Sequence, residues 1–524
     1  MRTIGSNSYK TSYSYDLADR LASVTYPDGR TVDYTRDAFG RVSGITLAQG
    51  GDRGRGDHDD DHRRGGGQTI LSGVTYEPFG PVDGFTYGNG VTETLAYDQD
   101  YRLTGIAAKG NRQFIQNQTL AYDNVSDITS ITDLAGAGED EAHRGGGDDN
   151  GGDGHGWGDD RRTASLNQSF TYDPDYRLLT ASGPYGDLAF AYDADGNRTS
   201  RSFTQRFGRS GRTRTRTESY AYGAASNMLQ SVSGAQNLQY GYLSNGDLAT
   251  ETGGEVSRSF SYDARNRLSS LINQGMSART TDYATNALGE RVQKSGGDDD
   301  DGTDFIYDEQ GRLIAEGHDG HVSREYIYLG SLPVAELGHG QIYYIHASHL
   351  GAPQKMTDAR QRVVWSRIAE PFGKTFSIIG DRDLMNLRFP GQYHDAESGL
   401  NYNGFRSYDP ALGRYTQSDP IGLLGGINTY AYVQGNPVNW VDPLGLMLTP
   451  EQQMCLEEPP GEPGCQQEPL GVEWPPGEEN PHPLKSEPTT TQATEECPAD
   501  IKKALSEIEQ GTPRPNVRQP RPFV

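Results

Sequence analysis

A tyrosine–aspartate pair recurs along this chain, and that recurrence restricts its fold more than any other feature. The pair stands at Tyr15-Asp16, Tyr97-Asp98, Tyr122-Asp123, Tyr172-Asp173, Tyr192-Asp193, Tyr262-Asp263 and Tyr307-Asp308. Most copies run through a short polar turn into Arg-Leu, Arg-Val or Arg-Thr, most fully in YDARNRLSSL from Tyr262 and YDQDYRLTGI from Tyr97. Tyr222, Tyr242, Tyr262 and Tyr283 recur with a period of about 20 residues, which marks a repeat architecture. Within one unit, SFSY ending at Tyr262 alternates, Asp263 to Asn266 is turn-forming, and RLSSLI alternates again, which reads as strand, turn, strand. A lone hairpin is marginal in water, so successive hairpins must pair edge to edge and twist into one continuous sheet. In each turn the Asp is expected to accept backbone amides, Gly or Asn to take positive φ, and the Arg to pair with Asp or stack on Tyr.

Composition agrees with this pattern. A chain of 524 residues is too long for one ordinary core, and 33% hydrophobic residues with 67 Gly and 31 Tyr suit strands and turns rather than helical bundles. A net charge of −25 and a pI near 4.8 repel a phosphate backbone, so the body is not expected to bind nucleic acid. No apolar run approaches the roughly 18 to 20 residues of a membrane span, and MRTIGSNSYK lacks the apolar stretch of a secretory signal. Export would therefore need a separate machine. Cys455, Cys465 and Cys497 all fall beyond Leu446, an odd number that cannot pair completely, so the body is expected to fold without disulfides in a reducing cytoplasm.

Three insertions interrupt the array: GGDRGRGDHDDDHRRGGG at 50 to 67, a Gly/Asp/His-rich stretch from about 135 to 162, and GGDDDDG at 296 to 302. They read as solvated loops. Their Asp and His residues lack the regular spacing of known calcium-binding loops, and no metal or cofactor is expected.

From about residue 326 the repeat gives way to a denser segment. It holds YYIHASHLGAPQKMTDA from Tyr343, EPFGK from Glu370, LRFPGQYHDAESGLNYNGFRSYDPALGRYTQSDPIGL from Leu387, and NTYAYVQGNPVNWVDPLGL from Asn428. His346 and His349 would lie on opposite faces of an alternating strand, so these and His394 read as structural rather than metal-binding. Two DPxGL motifs begin at Asp419 and Asp442, and Arg406 stands a short way before the first. Two carboxylates held close together cannot both ionise easily; the ionised one can activate water while the protonated one serves the carbonyl or the leaving amine. Such a pair titrates as a unit, and a nearby arginine can hold the ionised partner. Asp-Pro-x-Gly is also an ordinary turn former, and Arg406 could equally brace a sheet.

Over residues 10 to 446 these features resemble the Rhs and YD-repeat family, and the segment from 326 resembles the Rhs repeat-associated core nearly motif for motif. One departure is Ser348, where the family commonly has Asp between the two histidines. The resemblance implies an all-β spiral of hairpins forming a hollow shell, closed by the core and enclosing a guest polypeptide. It further implies that Arg406, Asp419 and Asp442 form an aspartyl-protease-like site that cuts once, intramolecularly, at Leu446–Met447. Held in one chain, that bond has a very high effective concentration and needs no external substrate. The implied setting is a bacterial polymorphic toxin, made in the cytoplasm and delivered with a secretion spike, with its own tail as cargo and an immunity protein as partner. A surface-exposed YD-repeat adhesion module without catalysis is the alternative.

After Leu446 the character changes: more than half of the 28 prolines and all the cysteines lie beyond it. Residues 447 to about 497 are Pro/Glu-rich and read as disordered or extended. Ile501, Ala504, Leu505 and Ile508 then fall at i, i+3, i+4 and i+7, predicting one short amphipathic helix between Pro498 and Gly511. ALSEIEQGTPRPNVRQPRPF loosely resembles the opening of guanyl-specific ribonuclease-like toxins, but no catalytic set follows it. The sequence thus divides into a repeat shell at 1–325, an associated core at 326–446, and a variable tail at 447–524.

Overall fold

The computed structural model describes residues 2–447 apart from 49–66, 79, 136–165, 208–211, 275–277, 298 and 339. The tail beyond Met447, with its three cysteines and the 501–508 segment, and almost all of the first two insertions lie outside the described residues.

Within the described residues the protein is built from β-strands and three short 3-10 turns, with no α-helix. A small hairpin, Arg2–Ile4 with Asn7–Tyr9, precedes a sheet of thirty strands running from Ser12–Tyr15 to Thr375–Ile379. Each described strand pairs antiparallel with its sequence neighbours, and the first and last are not joined to each other, so the sheet is an open spiral. The third insertion enters this sheet: Gly296 pairs with Asp299 across a tight turn, made possible by positive φ at Gly296 and Gly297.

The Tyr-Asp turn repeats in atomic detail. Asp98 Oδ1 accepts the backbone N–H of Asp100 at 3.0 Å and of Arg102 at 2.9 Å, while Oδ2 accepts Arg102 Nε at 2.7 Å. Asp173 and Asp358 hold Arg177 and Arg362 in the same way. The positive-φ position is not confined to Gly or Asn, since Tyr101 and Tyr176 occupy it at φ 59 and 61. The aspartate clamp offsets a strain of about 1–2 kcal/mol.

The tyrosines do more than fill the sheet. A register shift precedes Tyr122, Tyr172, Tyr192 and Tyr262, a bulge that bends and twists the strand. The bulge aims each hydroxyl back at the preceding hairpin: Tyr122 donates to Leu103 O at 2.6 Å, Tyr192 to Leu178 O at 2.9 Å, and Tyr262 to Leu248 O at 2.8 Å. The turn arginine then lies over the next tyrosine, with Arg102 5.0 Å from the Tyr122 ring and Arg177 5.1 Å from that of Tyr192. Adjacent units are therefore keyed by a hydrogen bond and a cation–π contact as well as by the ladder.

Late strands return to pack on early ones. Tyr26 donates to Tyr326 O at 2.9 Å and Tyr87 to Ile345 O at 2.6 Å. Strands Leu313–His318, His321–Leu329 and Leu332–Gly338 are buried along much of their length instead of alternating. On the middle strand Glu325 reaches Arg30 at 3.0 Å, while Tyr326 on the opposite face shares Glu316 with Tyr393. Pairing continues unbroken through residue 326.

A separate four-stranded sheet follows: Gln392–His394, Asn401–Asn403, Arg406–Asp409 and Arg414–Tyr415. Together with the irregular segment to Met447 it lies against the Tyr-Asp turns. Arg267 Nη1 donates to Phe405 O at 2.9 Å, Asn428 Nδ2 to Asn197 Oδ1 at 2.9 Å, and Asn436 Nδ2 to Asp127 Oδ1 at 2.8 Å.

Candidate functional site

Arg406 opens its strand just after the Gly404 turn, and its side chain is buried. Every arm of the guanidinium is engaged. Nε donates to Gly445 O at 2.6 Å and Nη1 to Thr429 O at 3.0 Å. Nη2 lies 3.0 Å from Asp419 Oδ2 and 3.3 Å from Asp442 Oδ2, and the guanidinium carbon sits 3.6 Å from the centre of the Tyr415 ring. The three residues singled out in the sequence thus converge on one buried point.

The two DPxGL motifs use their aspartates differently. Asp419 Oδ1 accepts Ile421 N at 3.0 Å, an ordinary Asx turn. Asp442 gathers the chain that follows it: Oδ1 accepts Gly445 N at 2.8 Å and Leu446 N at 3.0 Å, and Oδ2 accepts Met447 N at 3.0 Å. The amide nitrogen of the Leu446–Met447 bond therefore touches the carboxylate that Arg406 binds. Leu446 is wholly buried, and Met447 has a positive φ of 48, unusual for a side-chain-bearing residue.

Two glycines permit this closeness. A Cβ on Gly425 would stand 2.5 Å from Asp419 Oδ2 and 3.1 Å from Met447 Cβ, so the bare backbone lets the first aspartate approach the residue after the bond. A Cβ on Gly391 would strike Pro443 O at 1.8 Å.

Sequence reasoning missed two residues here. Tyr415 donates to Asp442 Oδ2 at 2.7 Å, and burial first, then the Asp442 charge, holds its hydroxyl well above the usual tyrosine range. Asn403 Nδ2 donates to Asp442 O at 3.0 Å, fixing the turn from the other side. Both fall in the conspicuous LNYNGFR and GRYTQSDP runs around Arg406, but their partner lies far along the chain, at the second DPxGL motif.

The histidines are separately engaged. His346 shares a hydrogen bond with Thr357 Oγ1 at 2.9 Å, His349 with Val438 O at 2.8 Å, and His394 with Asn401 Oδ1 at 3.1 Å. Burial lowers His349 and, with Arg388 nearby, brings His394 down to about 4. Ser348 Oγ accepts Leu350 N and Ala352 N, each at 3.3 Å, the turn-clamping pattern used by Asp elsewhere in the repeat.

Comparison with known proteins places this architecture. The RHS Repeat profile matches residues 2–31 and 15–52, and the RHS protein profile matches 342–377. The double-stranded DNA deaminase toxin A of Burkholderia cenocepacia is 30% identical over 485 residues, covering 83% of this chain and 28% of that protein. Toxin protein Tse5 of Pseudomonas aeruginosa is 40% identical over 117 residues, covering 22% of this chain and 9% of that protein. The chain thus spans under a third of either relative's length. The solved TcdB2-TccC3 structure superposes with a TM-score of 0.58 at 19% identity, covering 84% of this chain and 22% of the other, which supports the fold alone. The repeated Tyr-Asp hairpins, the matched core and these relatives together make the chain a member of the Rhs/YD-repeat family.

Proposed function

We propose that this chain is the shell portion of a delivered bacterial toxin and that it cuts its own backbone between Leu446 and Met447, separating the tail from the shell. On this reading 1–325 is the repeat wall, 326–446 the core that closes it and carries the site, and 447–524 the enclosed cargo. The observation that carries the reading is the Met447 amide nitrogen, 3.0 Å from Asp442 Oδ2, with Arg406 Nη2 held between that oxygen and Asp419 Oδ2.

In the proposed step the ionised carboxyl takes a proton from a water that attacks the Leu446 carbonyl carbon. The other carboxyl, protonated, gives its proton to Met447 N as the carbon–nitrogen bond breaks, leaving a carboxylate on Leu446 and an amine on Met447. Asp442 Oδ2 lies at the leaving nitrogen and shares Arg406 with Asp419 Oδ2, and the two carboxyls handle the two protons as one coupled unit. Arg406 offsets the charge of the pair and fixes Gly445 by its carbonyl, which holds the bond still. One turnover completes the task, because the bond is presented by the fold itself. The delivery machinery, including a spike and an immunity partner, belongs to the same proposal and rests on the toxin relatives.

The test is the intact mass of the full chain under denaturing conditions, beside Asp419→Asn and Asp442→Asn. Two fragments meeting at Leu446/Met447 in the parent, and one uncut chain in both variants, are expected. An uncut parent overturns self-cleavage and leaves a non-catalytic shell.

A further inference from the structure

The longest hairpin of the wall, Arg198–Phe207 with Arg212–Tyr222, ends in a run of alternating arginines and threonines. Its register pairs Arg201 with Glu218, Phe203 with Arg216 and Gln205 with Arg214, so these side chains share one face. The threonines occupy the other, where Thr204 and Thr215 hydroxyls meet at 2.7 Å. The arginine face continues the buried face of the wall. Toward the Tyr-Asp turns it is covered: Arg201 pairs with Glu370 at 2.7 Å, and Tyr220 packs in a cluster with Leu400 and Leu412 of the core segment. Beyond Glu218 the cover stops. Arg212, Arg214 and Arg216 are exposed, and none of them makes an ion pair among the described residues. A ladder of three uncompensated cations, on the face that elsewhere is covered, is conspicuous in a chain of net charge −25.

The geometry points to an occupant from this chain's own tail: the Glu-rich segment 451–500 docks along Arg212, Arg214 and Arg216. Charge complementarity is the first argument. Residues 451–500 hold twelve carboxylates, among them Glu462, Glu468, Glu473, Glu478 and Glu479, against one lysine, Lys485, and no arginine. Reach is the second. Met447 lies beside Gly425, and the neighbouring Ile427 O accepts Asn227 Nδ2 at 3.0 Å, which puts the chain exit next to the turn that follows Tyr222. The strand Arg212–Tyr222 spans about 36 Å at roughly 3.3 Å per residue. About a dozen extended residues cover that distance, so the segment from about 460 onward reaches the ladder. A polynucleotide has no such tether, and the charge of the whole chain repels it. The ladder thereby holds the tail against the wall whether or not the Leu446–Met447 bond is cut.

The test places the photo-cross-linker p-benzoylphenylalanine at Gln205, on the arginine face, in the full chain carrying Asp442→Asn. The tail then stays attached by its peptide bond, and the answer is independent of self-cleavage. The expected result is a cross-linked peptide from 451–500. Its yield should fall about tenfold in R212E/R214E/R216E, as three exposed ion pairs are reversed, and likewise at about 1 M salt. Arg206→Glu, on the threonine face, should leave the yield unchanged, and circular dichroism confirms that each variant is folded. Cross-links to nucleic acid or to other parts of the wall, or a tail yield unmoved by the triple reversal, overturn the proposal.

Discussion

The Tyr415 hydroxyl donates to Asp442 Oδ2 at 2.7 Å, the oxygen that also accepts the Met447 amide. Tyr415 therefore orients the carboxylate that the proposed cleavage uses. Tyr415→Phe should slow the appearance of the two fragments about tenfold, with their junction still at Leu446/Met447. A time course of intact mass checks this, and a rate equal to the parent's would remove Tyr415 from the positioning of Asp442.

Arg406 supplies the counter-charge to Asp442 and bridges to Asp419 as well. Arg406→Gln leaves two buried carboxylates without it and should destabilise the fold by about 3–5 kcal/mol. Arg406→Lys should recover little, because a point charge cannot serve Gly445 O, Thr429 O and both aspartates at once. Urea midpoints of the three proteins are the measurement, and a lysine variant as stable as the parent would contradict the fork-geometry argument.

The reach-back hydrogen bonds of the repeat tyrosines make a graded prediction. Tyr262→Phe removes the bond to Leu248 O and should cost about 1 kcal/mol. Tyr122→Phe, which removes the bond to Leu103 O, should add to it, since the two hairpins share no partner. Equilibrium unfolding of the single and double variants tests both magnitude and additivity.

Two glutamates give the wall a pH dependence. Burial pushes Glu336 from its ordinary 4.5 up to about 8 despite Arg324 Nε 3.9 Å away, and burial with Asp28 nearby takes Glu325 to about 8. A carboxyl whose folded value is raised contributes stability below its unfolded value, and that contribution is lost as pH rises through the folded value. The parent's urea midpoint should therefore decline as pH rises from about 5 to about 9. Glu336→Gln should flatten that decline, and an unchanged slope would mean that Glu336 is solvated in the folded wall.

Much of this was legible in the sequence because it is local. The hairpin unit, its clamp by Asp and its period follow from residues within one repeat or the next, while Asp419 and Asp442 stand out by their DPxGL motifs and Arg406 is joined to them only through the family resemblance. What escaped depends on contacts between distant strands. The return of Tyr326 and Ile345 onto Tyr26 and Tyr87 joins opposite ends of the wall, set by sheet curvature that no local pattern encodes. The tyrosine reach-back was hidden because bulges aim it. Tyr415 and Asn403 looked like ordinary sheet residues until the second DPxGL turn folded over them. The separate sheet beginning at Gln392 was equally invisible, its strands being too short to show any alternation.

Asp442 collects three successive backbone amides, from Gly445 to Met447, just before the chain leaves the described fold. That arrangement has a mechanical meaning. While the Leu446–Met447 bond is intact, tension that reaches Met447 is borne by one side chain, anchored through Arg406 and Tyr415 to the small sheet. A pull delivered at Met447 therefore registers at this carboxylate and the small sheet before it passes to the strands that the sheet packs against.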